Sequence, residues 1–213
     1  MTNLCLTSIV LLQPNKICVL TLSCALTFVA ACSEISGKKY FPLADGAKWE
    51  YIGHTSFANN NQIRFPVTAR VNGETLIDGK RYFKHVLTSD FSGVPEIGKM
   101  REYVRYYRVA EDGIYFRSGS NPNGPELLEM PLPIPINTKW FSGNTEVQAE
   151  HVGTIQIGDR QYRDCLKVTF RQLGNVHILE NYLAPDVGVI KFLDVNTSEP
   201  QSTLEVTLEK YEP

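Results

Sequence analysis

The chain predicts an all-β fold, and three observations carry that prediction. Apolar residues recur with a period of two over several segments, as they do in a strand with one wet face. Pairs of Gly beside Asp punctuate these segments at the places where tight hairpins would fall. No stretch longer than about ten residues carries an apolar stripe at helical spacing.

Taken in order, Trp49, Tyr51 and Gly53 share one side of a short first strand. Ile63, Phe65, Val67, Ala69 and Val71 then alternate without a break with Arg64, Pro66, Thr68 and Arg70. Asp78-Gly79 separates Thr75-Leu76-Ile77 from Tyr82-Phe83, the pattern of a hairpin. Arg101, Tyr103, Arg105 and Tyr107 fall on one strand face, with Val104 and Tyr106 on the other. Asp112-Gly113 turns that strand into Ile114-Tyr115. Pro125 to Met130 predicts a single helical turn. Gly158-Asp159 and Pro185-Asp186 mark later turns, and Leu166-Val168-Phe170 and Leu204-Val206-Leu208 alternate as strands. The sum is ten or eleven antiparallel strands in meander order. Such a sheet hides its apolar face by curling into an open or closed barrel, which also removes edges; a β-sandwich is the alternative.

Pro131-Leu132-Pro133-Ile134-Pro135-Ile136 has prolines at every second position. In an extended strand they would delete hydrogen-bond donors along one edge only, while Leu132, Ile134 and Ile136 share a face. This predicts an edge strand packed on one side and closed to further pairing. The alternative is a polyproline-type partner motif.

Two halves of the chain resemble each other. Pro42 precedes Trp49 by seven residues, and Pro133 precedes Trp140 by seven. Gly73, Ile77, Lys80 and Tyr82 recur eighty residues on as Gly153, Ile157, Arg160 and Tyr162. Tyr107 with Gly113-Ile114 recurs as Tyr182 with Gly188-Val189. A degenerate repeat of about residues 40–119 and 131–193 would give each half of one curved sheet an equivalent tryptophan. Convergent hairpin chemistry is the alternative source of the likeness.

Composition narrows function. The formal net charge is −2 over 213 residues, so no basic excess exists to neutralise phosphates, and nucleic acid is excluded as a partner. The start of the chain is a targeting segment rather than part of the fold. Lys16 is the only charged residue among the first 31, and the apolar run Ile17 to Phe28 is too short to span a bilayer. It leads through Val29-Ala30-Ala31 to Cys32, which resembles the lipobox of bacterial lipoproteins, where the cysteine is acylated and becomes the new N-terminus. The organisation expected is a signal peptide over 1–31, a lipidated Cys32 with its tether over 32–39, and one all-β domain over 40–213. Ser33 to Lys39 spans at most ~25 Å. Ser33 after the cysteine favours the outer membrane, with the domain facing the periplasm. Of five cysteines, Cys5, Cys18 and Cys24 lie in the leader and Cys32 carries lipid, leaving Cys165 alone without a disulfide partner.

No catalytic signature stands out. His54, His85, His151 and His177 show no metal-ligand spacing, and no cofactor fingerprint is present. Cys165 follows Asp164, which opposes thiolate formation, and reads as a packed, inert residue. His85 and Cys165 occupy matching places in the repeat, which suggests structural positions. The Arg–Tyr ladder of Arg101, Tyr103, Arg105 and Tyr107 could hold an anionic or sugar ligand, or form a stacked, solvated face.

Tyr40-Phe41-Pro42-Leu43 with Gly46 and Trp49-Glu50-Tyr51, the Asp78-Gly79-Lys80 turn, Tyr106-Tyr107-Arg108-Val109 before Asp112-Gly113, and Asn181-Tyr182-Leu183-Ala184-Pro185 before Val187-Gly188-Val189-Ile190 resemble a group of uncharacterised bacterial lipoproteins. The resemblance runs over most of the mature chain. It implies an all-β envelope domain with no established activity, and it carries no catalytic, metal-ligating or cofactor-binding residue. The function expected is non-enzymatic: a membrane-anchored binding or structural protein for an apolar or amphipathic ligand or an envelope protein. Trp49, Tyr51, Arg101, Tyr103, Arg105, Tyr107 and Trp140 are the expected lining residues. The rival is a periplasmic hydrolase on a barrel, which requires titratable side chains to meet in one pocket.

Cys32→Ala tests the anchor. A fatty-acid label should enter the wild-type protein in a globomycin-sensitive manner and be absent from the variant; labelling of both would contradict the assignment of Cys32.

Overall fold

The structure, a computed structural model, describes residues 37–56, 62–92, 99–198 and 202–213. Cys32 lies outside the described residues. After a short 3-10 helix, Gly37–Tyr40, come twelve strands: β1 Lys48–Ser56, β2 Gln62–Ile77, β3 Lys80–Asp90, β4 Met100–Val109, β5 Gly113–Ser118, β6 Leu127–Pro131, β7 Lys139–Ser142, β8 Thr145–Ile157, β9 Arg160–Gln172, β10 His177–Ala184, β11 Gly188–Asn196 and β12 Ser202–Glu212. All belong to one antiparallel sheet in the order β6-β5-β4-β3-β2-β1-β12-β11-β10-β9-β8-β7. The sheet curls into a nearly closed barrel, which decides the all-β meander against the sandwich. The strand count is twelve, above the ten or eleven expected.

Every neighbour in this order is also a sequence neighbour except one. β1 and β12, the first and last strands, pair over their length, from Lys48↔Glu212 to Ser56↔Thr203. Adding six to each strand number, cyclically, maps the order onto itself, so β6 and β7 stand where a second such pairing would be. They form the seam instead. The indole N–H of Trp140 on β7 crosses it to donate to the Glu129 carbonyl at 3.3 Å.

The two meanders also exchange their leading segments. Asp186 N–H, in the β10–β11 turn, donates to the Lys39 carbonyl at 2.7 Å, and Leu132 N–H donates to the Asp112 carbonyl in the β4–β5 turn at 2.9 Å. Gly73 and Gly153 adopt φ of +70° and +71°. They mark register shifts in β2–β3 and β8–β9, where a left-handed residue bends a long strand.

The alternations seen in sequence are the buried faces. Trp49, Tyr51, Phe65, Val67, Ala69, Val71, Val206 and Leu208 are buried in one cluster. Trp140, Val147, Ala149, Leu166, Val168 and Leu183 form a second with Tyr40, Ile114, Met130 and Ile134. Gly53 is required where it stands, because a Cβ there would lie 2.5 Å from the Phe65 ring.

Two local expectations need correcting. Pro125 to Met130 forms no helical turn: Leu127–Pro131 is β6, whose Met130 pairs with Ile114 and is buried. The open edge of β5 captures this stretch, and tertiary pairing overrides local preference. The proline-rich stretch is not an edge strand either. β6 stops at Pro131, and the chain leaves the ladder for isolated bridges at Ile134 and Ile136, the latter to Ala149 in parallel. The shared apolar character survives, since Ile134 is buried and Leu132 and Ile136 pack on the same cluster.

On the outer face a carboxylate pins the β5–β6 connection. Glu126 accepts from Arg108 Nε at 2.6 Å and Nη2 at 2.8 Å, from Tyr82 Oη at 2.5 Å and from Lys80 Nζ at 3.3 Å. The Arg108 hydrogen bonds, helped by Tyr82, hold its carboxyl at about 2. Because that lies below the unfolded value, the stabilisation is full at neutral pH and is lost as pH falls from about 4.5 through about 2. Glu126→Gln should therefore lower stability by about 2 kcal/mol at pH 7 and by much less at pH 2, read from urea midpoints; an equal loss at both pH values would contradict this.

Candidate functional site

Pairing registers place the expected ligand-lining residues. Trp49 pairs with Ala69, Ala69 with Leu87, and Leu87 with Tyr103. Directly opposed residues share a face, so Tyr103 points to the same side as the buried Trp49. The chain Tyr51–Val67–Ser89–Arg101 does the same for Arg101, and Val71–His85–Arg105 for Arg105. The Arg–Tyr ladder of β4 therefore lies on the inner face of the barrel.

Exposure changes steeply along that ladder. Tyr107 is 7% exposed and Tyr103, four residues away on the same face, is 55% exposed. The Tyr107 end is sealed by the N-terminal segment. Tyr40 Oη donates to the Asp164 carbonyl at 2.6 Å, and Pro42 rests against Gly188. The Tyr103 end is open because β5 pairs with β4 only from Arg105 onward.

Beside the N-terminal segment lies a half-open cavity of about 80 Å³ lined by Phe41, Leu43, Trp49, Tyr51, His85 and Tyr107 among others. Ligand pockets usually exceed roughly 300 Å³, so this space suits water rather than an acyl chain. Trp49 and Tyr51 serve packing here: their polar atoms donate to the Val187 carbonyl at 2.6 Å and the Val189 carbonyl at 3.0 Å. A larger groove of about 270 Å³, lined by Leu76, Asp78, Tyr106 and Pro122, lies on the outer face.

Of the seven expected lining residues, Trp49, Tyr51 and Tyr107 line the cavity. Arg105 joins them through Tyr107, its Nη1 donating to Tyr107 Oη at 3.2 Å. Arg101 and Tyr103 stand on the exposed stretch. Trp140 lies apart at the β6–β7 seam and does not line the cavity.

Sequence reading missed two members of this surface. His85 sits between Trp49, at a ring separation of 6.0 Å, and Tyr107, at 5.7 Å. Its place in the Val71–Leu87 face of the β2–β3 hairpin was the available signal. Glu129 is buried and approaches Arg105 Nη1 at 3.5 Å. It was hidden in the segment expected to be helical. Burial pushes its carboxyl up against the pull of Arg105.

The hydrolase reading named His151 and His177; both are exposed and lie on different strands, β8 and β10, with His177 Nδ1 2.9 Å from Asp194. Cys165 is buried and donates to the Tyr162 carbonyl at 3.3 Å. Burial raises its thiol. Among the described residues no three His, Cys, Asp or Glu side chains could hold a metal ion, and no helix is long and apolar enough to cross a membrane.

Neither a family model nor a curated protein matches the chain. Solved structures similar to it include a protein assigned as exported, with a YmcC-like fold, from Bacteroides fragilis, at 11% identity and a TM-score of 0.42 over 82% of this chain and 99% of that one. A protein assigned as a lipoprotein from Parabacteroides distasonis is 12% identical, with a TM-score of 0.45 over 81% and 98%. A LolA superfamily protein from Nitrosomonas europaea is 7% identical, with a TM-score of 0.37 over 83% and 89%.

His85 supplies a pH test of this interior. Burial, with the nearby Arg105 charge, lowers its imidazole to about 4. The unfolded chain then takes up a proton that the folded one refuses, so stability is full above about 6.5 and falls between 6.5 and 4. His85→Gln should remove about 1–2 kcal/mol of the loss between pH 7 and pH 5, measured by urea unfolding; an unchanged pH profile would show that the imidazole is solvated.

Proposed function

We propose that this protein is a lipid-anchored, non-enzymatic binding protein of the bacterial cell envelope, and that it offers the open inner face of β4 to an amphipathic ligand. One observation carries the reading: a single strand face passes from sealed core at Tyr107 to solvent at Tyr103 within four residues. An aromatic side chain left exposed on the inside of a barrel, beside a buried apolar surface, is where an apolar group gains most by binding. The small volume of the cavity beside Tyr107 argues for a ligand that lies on this face rather than one swallowed by the barrel.

The anchor gives the site a direction. Between Cys32 and Gly37 the chain reaches at most about 18 Å, and Gly37–Tyr40 belongs to the sealed end. With Cys32 acylated, the sealed end faces the membrane and the Tyr103 end faces the aqueous space. In this reading that space is the periplasm, and the membrane is the outer membrane.

The test is binding of the fluorescent probe 1-N-phenylnaphthylamine to the mature protein. Saturable binding should appear, and Tyr103→Ala should weaken it about tenfold, equivalent to ~1.4 kcal/mol, while Phe141→Ala on the outside of β7 leaves it unchanged. Absence of saturable binding, or an equal effect of the two variants, would overturn the assignment of the site.

A further inference from the structure

We infer that the polar end of the ligand is an anion, a phosphate or carboxylate, received by Arg101 and Arg105 on either side of Tyr103. This rests on the binding reading above and specifies its chemistry.

Both guanidiniums stand on the inner face, two strand positions to each side of Tyr103. Guanidinium groups only donate hydrogen bonds, and their fork geometry matches two acceptor oxygens. A neutral sugar would call for acceptors as well as donors, and a cation would be repelled. Among the described residues Arg101 has no carboxylate within ion-pair distance; its guanidinium lies 5.6 Å from the Phe91 ring centroid. Among the described residues Arg105 pairs with Glu129 alone, at 3.5 Å, and 46% of the Arg105 side chain is exposed. Asp194, also on the inner face, is engaged by His177 at 2.9 Å. Among the described residues, Arg101 is thus a cation of the inner face at this end with no carboxylate paired to it.

The surroundings specify the remainder of the ligand. Leu87 pairs with Tyr103, and Phe91 stacks on Phe65 with centroids 4.3 Å apart. An anionic head on the arginines leaves an apolar body against Tyr103, Leu87 and Phe91. Arg101 also lies on the part of β4 that extends past β5, so its end of the site is reached from the side.

The mature protein is titrated with dodecyl phosphate, dodecyl maltoside and dodecyltrimethylammonium, each below its micelle concentration, and with inorganic phosphate. Dodecyl phosphate should bind at least tenfold more tightly than the other three and weaken as salt rises. Arg101→Gln should cost it about fivefold to tenfold, and Arg105→Gln combined with Glu129→Gln, which leaves no buried charge unpaired, a similar factor. Arg64→Gln on the outer face should cost nothing. Equal affinity for the three dodecyl probes would overturn the anion site while sparing the amphiphile reading. Binding of none would overturn both. Inorganic phosphate as tight as dodecyl phosphate would retain the anion site and remove the apolar body. If the double variant does not fold, Arg101→Gln decides alone, and no loss of affinity there overturns the proposal.

Discussion

The pairing of β1 with β12 is the constraint on which everything else stands. It joins residues at opposite ends of the domain, Trp49 with Tyr211 and Gly53 with Val206. Without it the chain is two separate six-strand meanders, each with an apolar face and two raw edges. With it the two faces close on one interior, and the first buried cluster draws on both halves: Trp49 and Phe65 from one, Ile190, Val206 and Leu208 from the other. Such a contact closes a loop of nearly the whole domain, so it forms against the largest chain entropy in the fold and rewards only once both meanders are in place.

The asymmetry of the barrel follows from the failure of the second, equivalent pairing. β6 has five residues and β7 four, against nine and eleven for β1 and β12. The intervening chain, with prolines at 131, 133 and 135, is used to seal one end instead of lengthening these strands. Its Ile134 packs with Tyr40 of the N-terminal segment. One end thus receives two plugging segments. The short β5 leaves Met100 to Tyr103 of β4 paired with β3 alone among the described strands, and Tyr103 and Arg101 are exposed there as a result. The open inner face is the geometric remainder of a seam that does not zip.

Period-two patterning was enough to read the long strands. Ile63 to Val71 and Leu204 to Leu208 show their buried sides directly, and Asp78-Gly79 and Asp112-Gly113 mark real hairpins. What escaped was what depends on distant partners. Leu127 to Pro131 is too short to declare itself and becomes a strand because β5 offers an edge. The β9 bulge, with Asp164 at φ +53°, lets consecutive Cys165 and Leu166 both be fully buried, each in a different cluster, which no alternation rule anticipates. For the site, the shared face of Arg101, Tyr103, Arg105 and Tyr107 was legible from spacing. That one end of it is core and the other solvent was not, because burial there is set by where β5 stops. Trp140 was grouped with Trp49 by the repeat, and the seam sends it to a different neighbourhood.

The central claim is that one inner strand face is sealed at Tyr107 and open at Tyr103 in the native protein. Single cysteines placed there by Tyr103→Cys and Tyr107→Cys, probed with a maleimide before and after denaturation, test it directly, with buried Cys165 as the internal reference. The account predicts fast labelling at position 103 under native conditions, and labelling at 107 and 165 only after unfolding. Comparable native rates at 103 and 107 would contradict it.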